Sequence, residues 1–132
     1  MKKAVGGIQF ERLEDHELYT EAMRSLELAK ATYAEKDFKL AIRTCEEIVC
    51  KKLRTEALRF VAEALVKANE INWSLELMER LDSPKKALIF AHICKQTGEI
   101  KYLAAAEKEV KEIAEKRSKD FIFREVLDIV SN

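Results

Sequence analysis

The chain has 132 residues, enough for one domain with a continuous core, and its three glycines and single proline leave too few turn residues for a β-rich fold. A charged fraction of 36% beside a hydrophobic fraction of 48% is what amphipathic helices with solvated outer faces require. Lys plus Arg balance Asp plus Glu at 24 each, with the signs interleaved, which excludes bulk attraction to nucleic acid or to acidic membranes as a driving force.

Met1 to Phe10, with Gly6-Gly7, carries no helical period and no leader-like apolar run, and residues 1–12 are expected to form a loose arm. Residues 13–132 then make a single helical domain. A first helix is predicted from Asp15, as its N-cap, to about Glu35, with Leu18, Ala22, Leu26, Ala29 and Tyr33 on one face. A second opens after Asp37 with Phe38, Ala41, Cys45 and Ile48 inward and ends near Cys50 to Lys52, closing a hairpin over about 15–52.

The second hairpin, about 54–81, pairs a helix over Arg54 to Ala68 with a short one over Asn72 to Leu81, and Asn69 suits a left-handed helix end. The third, about 84–116, starts from Ser83 as N-cap with Pro84 in the first turn. It turns at Gly98 and continues through Leu103, Val110, Ile113 and Ala114. A capping helix over 118–131, opened by Ser118, has no partner following it.

A pattern recurs along these helices: an apolar-small pair, then, seven positions on, a turn residue followed by an acid and an apolar. The copies run from Leu28-Ala29 to Lys36-Asp37-Phe38, from Val61-Ala62 to Asn69-Glu70-Ile71, and from Phe90-Ala91 to Gly98-Glu99-Ile100, at spacings of 33 and 29 residues. Repetition at this period is the signature of stacked helix pairs. Small residues at Ala29, Ala41, Ala62 and Ala91 let paired helices approach closely. In the second helices the matching positions are Ala41, Cys45 and Ile48, then Ser74, Met78 and Leu81, then Leu103, Glu107 and Val110.

Over about residues 22–112 these residues resemble the tetratricopeptide-like (TPR-like) helical repeats. Thr32, Leu65 and Cys94 stand where that family favours an aromatic, and Glu107 where it is apolar. Another α-solenoid or a helical bundle accommodates the same pattern. The resemblance implies an all-α fold of six to seven helices, antiparallel hairpins stacked as a short right-handed α-α superhelix. It also implies a concave surface, lined by the first helix of each pair, that holds proteins or peptides. Mapped by spacing, that surface carries Lys30 and Tyr33, then Glu56, Arg59, Glu63 and Val66, then Lys85, Leu88, His92 and Lys95. The Asn and Lys constellation with which some members clamp a peptide carboxylate is not reproduced.

His92 reads as a groove contact or a helical histidine sooner than a catalytic base, and His16 sits in an acidic first turn that the helix dipole explains. Cys45, Cys50 and Cys94 lack ligand spacing and read as free, buried thiols of a reducing cytosol. No phosphate-binding glycine loop, metal site or cofactor is expected. The cluster Lys51-Lys52-Arg54-Arg59 is offset by Glu46, Glu47, Glu56 and Glu63, so nucleic acid is not the expected partner. Phe121-Ile122-Phe123 cannot all enter the core from one helix, which makes Phe121 and Phe123 candidates for a partner or homodimer contact at the end of the stack.

Two Gln and three Asn against 48 charged side chains resemble a thermophile composition. The sequence therefore reads as a soluble, cytoplasmic, non-enzymatic scaffold or adaptor that binds a protein or peptide and makes no membrane contact. A nucleic-acid-binding helical module is the alternative, and a small helical enzyme the third reading.

Overall fold

The structure, a computed structural model, describes residues 3–5, 8–10 and 12–132. Two short strands, β1 (Lys3–Val5) and β2 (Ile8–Phe10), pair antiparallel with Val5 opposite Ile8. Seven helices follow among the described residues: α1 (Leu13–Thr32), α2 (Glu35–Glu46), α3 (Lys51–Lys67), α4 (Ile71–Met78), α5 (Ser83–Thr97), α6 (Ile100–Lys111) and α7 (Lys116–Ser131). The expected loose arm thus contains a strand pair, and Gly6-Gly7 lies outside the described residues.

The helices form three hairpins, α1 with α2, α3 with α4 and α5 with α6. Each later odd helix packs on both members of the pair before it: α3 on α1 and α2, α5 on α3 and α4, α7 on α5 and α6. The four small residues singled out above, Ala29, Ala41, Ala62 and Ala91, are all fully buried, where they let backbones approach. Ser74 is also fully buried and donates its hydroxyl to the Ala62 carbonyl at 2.9 Å, which satisfies the one polar group that α4 presses onto α3.

The hairpin turns share one device. Each first helix stops on a residue with positive φ, Tyr33 (57°), Asn69 (63°) and Gly98 (74°), and the next helix begins two residues later. In the first turn the Thr32 hydroxyl accepts from the Ala34 amide (3.1 Å) and donates to Asp37 (2.7 Å). Thr97 does likewise in the third, accepting from Glu99 (3.1 Å) and donating to the Ile93 carbonyl (2.8 Å). The first turn is therefore at Tyr33, and Lys36-Asp37-Phe38, expected to form it, lies inside α2. Counted from the left-handed residue, the pairs are in phase: Phe38, Ser74 and Leu103 correspond, as do Ala41, Leu77 and Ala106.

Three expected caps are reassigned. Asp15 lies within α1 and is buried, and its carboxylate accepts from the Val49 amide (2.9 Å) and the Cys50 amide (3.0 Å) just before α3. Arg54 reaches back to the carbonyls of Ile48 (2.8 Å) and Val49 (3.3 Å), so these two side chains hold the connection and α2 ends at Glu46, short of Cys50. Asp82, not Ser83, caps α5 by accepting from the Lys85 amide, while Ser83 donates to Glu109 of α6 (3.0 Å). Ser118 falls inside α7, whose cap position is Glu115.

Most buried residues form one core spanning α1 to α5, with Phe38, Leu26, Leu53, Leu58, Leu65, Ile89 and Ile93 among its large members. A second, smaller cluster joins Ala87 and Ala91 of α5 to Ala106, Val110 and Val126. Of the three free cysteines only Cys45 is buried, and Cys50 and Cys94 are half-buried. Burial, then the charge of Glu46, pushes the Cys45 thiol up to about 12. Because the thiolate is the nucleophile, a thiol reagent at pH 8 should leave Cys45 of the folded protein unmodified and reach it only on unfolding. Below the ordinary thiol value of 9.0 the group is neutral whether folded or unfolded and the shift leaves stability unchanged; as pH rises from there towards 12 the unfolded thiol ionises first and stability falls. Labelling of Cys45 in native protein as fast as in denaturant would show that its environment opens.

Candidate functional site

Helices α1, α3 and α5 each lead a hairpin, and polar residues on adjoining faces of the three meet in one row. In α3 the spacing Glu56, Arg59, Glu63 sets three charges on one face at steps of three and four. Arg59 bonds both oxygens of Glu63 at 3.0 Å and also Glu56. From α5 the His92 Nε2 comes within 3.3 Å of Glu63. From α1, Tyr19 is close enough for the charges of Glu56 and Arg59 to act on its phenol. The guanidinium also lies over the ring of Phe60, 4.5 Å from its centre.

The four charged or titratable side chains on α3 and α5 keep only 15 to 22% of their surface, so the row is largely withdrawn from water while remaining reachable from one side. Burial acts against the charge of Arg59, but the hydrogen bond to Glu56 and the charges of Glu63 and Glu56 outweigh it and raise its pKa. Burial, then the charge of Glu56, pushes the Tyr19 phenol up as well. The arrangement is two carboxylates, one guanidinium committed to both, and an imidazole at the edge. The two carboxylates outnumber the one guanidinium in a largely enclosed setting, which suits a hydrogen-bond donor or a basic group.

The structure brings Glu56, Arg59, Glu63 and His92 together. It separates the other residues mapped to that surface. Lys30 is exposed and pairs with Glu27 of its own helix (3.1 Å), and Lys95 is exposed. Val66 is buried in the core. Lys85 pairs with Asp82 (3.4 Å) beside Lys51 and Lys52. Tyr33 lies at the α1–α2 turn, at a cavity that Phe38 and Trp73 also line. Tyr19 carries no sequence signal for this site: the charges that act on it are in α3, and helical periodicity reports a face but not what meets it.

Phe121 and Phe123 of α7 are 60% and 39% exposed, with Ile122 half-buried between them, so the two rings point away from the core on different sides of the helix. Among the described residues no group of three or more His, Cys, Asp or Glu is placed to hold a metal ion, and no helix is long and apolar enough to cross a membrane. Comparison with known protein families, with curated proteins and with solved structures finds no match to this chain.

Proposed function

We propose that the protein is a non-enzymatic scaffold or adaptor of the TPR-like kind, and that the faces of α1, α3 and α5 around the polar row receive a protein or peptide. The observation that carries this reading is the row itself: Glu56, Arg59, Glu63 and His92, with Tyr19, run across the leading helices of three successive hairpins and are held in place by their own ion pairs. A surface preorganised in this way loses little side-chain freedom on binding. The packing of each odd helix on the preceding pair supports the repeat resemblance.

Affinity capture of the tagged protein from its native cell extract, with nuclease treatment, is the test. A stoichiometric, nuclease-resistant protein is expected on the parent and should be lost with His92→Ala combined with Tyr19→Phe, substitutions that leave the Arg59 pairs in place. Retention of the partner by that variant removes the row from the interface. Nucleic-acid binding is the second reading, favoured by a cavity of about 400 Å³ where Lys51, Lys52, Arg80 and Lys85 gather with Glu79 and Asp82. Loss of every partner on nuclease treatment would place it first.

A further inference from the structure

Away from the row, where the first two hairpin turns come together, lies a cavity of about 220 Å³ lined by Tyr33, Glu35, Phe38, Glu70 and Trp73. Three are aromatic and two are carboxylates, and no basic residue contributes to the lining. Phe38 is buried and meets Trp73 edge to face, with ring centres 5.9 Å apart. Glu35 has a partner in Lys39 (2.8 Å), whereas Glu70 makes no ion pair among the described residues. Aromatic rings and carboxylates around a small space form an environment for a cation with an alkyl stem.

Tyr33 adds an independent observation. It holds the left-handed position that Asn69 and Gly98 hold in the other two turns, and a tyrosine there is strained. Tyr33 is 64% exposed, so burial in the core does not offset that strain. Tyr33 lines the cavity from the first turn.

We infer that this cavity binds the side chain of a lysine or arginine presented by an extended peptide. The peptide source follows from continuity: a larger cavity of about 430 Å³ along α2 and α4 shares Glu35 and Trp73 with the small one and offers room for flanking residues. None of the five lining residues belongs to the polar row, so the inference does not depend on the function proposed above.

Trp73 is the only tryptophan and reports on the site directly. The parent is titrated at constant ionic strength with the Nα-acetyl methylamides of lysine, arginine and norleucine, and with tetramethylammonium. Saturable change in Trp73 emission with the lysine or arginine probe, and none with norleucine, is expected. Glu70→Gln and Tyr33→Gly should each weaken it by about tenfold. Tyr33→Gly should do so without lowering the thermal midpoint, because glycine relieves the strain. Equal responses to lysine and norleucine, no saturation with either basic probe, or saturation by tetramethylammonium alone would overturn the inference.

Discussion

Replacing Asp15 with alanine should destabilise the protein by about 2–3 kcal/mol, the cost of leaving two largely enclosed amide donors without an acceptor. The carboxylate is 1% exposed and joins the start of α1 to the amides of Val49 and Cys50, 34 and 35 residues away. It also lies at the N-terminus of α3, where a negative charge is favoured by the helix dipole. The thermal midpoint should fall by something on the order of 10 °C. Asp15→Asn, which keeps one acceptor oxygen, should retain about half of the stability that alanine removes. Urea unfolding of the three proteins measures the effect, and an alanine variant as stable as the parent would mean that water reaches both amides and that the connection is held by Arg54 alone.

Arg59→Met should cost about 2 kcal/mol, because it leaves Glu56 and Glu63 facing each other at sites with only 21% and 15% of their side-chain surface exposed. The origin of that loss is open to a direct check. If it is the uncompensated carboxylates, then adding Glu56→Gln and Glu63→Gln should return the triple variant to near parental stability, since a partly buried ion cluster gains little net free energy over neutral side chains of similar size. Denaturant midpoints of the single and triple variants decide this. A triple variant as weak as Arg59→Met would show instead that the guanidinium of Arg59 over Phe60 supplies the stability. A triple variant that is stable but no longer captures a partner would assign the charges to recognition.

Much of the architecture was legible because it is written in local signals. Gly98 and Asn69 mark helix ends by backbone preference, Pro84 fixes the first turn of α5, and the buried alanines follow the helical period. The illegible features are those in which a residue acts outside its usual role. Tyr33 adopts a conformation that tyrosine disfavours, and it is held there by Thr32, whose side-chain bonds to Ala34 and Asp37 have no period to betray them. Asp15 has the composition of an N-cap and serves as one, but for amides before α3 and not for its own helix. Within the candidate site, the α3 triplet was visible as spacing along one face. The approach of Tyr19 and His92 depends on how neighbouring helices pack, which no single helix encodes.

The two apolar clusters differ in depth, and α5 belongs to both: Ile89 and Ile93 face the large one, Ala87 and Ala91 the small one. Alanine and valine side chains remove far less surface from water than leucine, isoleucine and phenylalanine do. The free energy of opening is therefore expected to be graded along the helices, with α6 and α7 less firmly held than α1 to α5. Among the helices, the first to lose protection from amide hydrogen exchange should then be those at the end that carries Phe121 and Phe123, while the groups on the outer faces of α1 and α3 keep their arrangement.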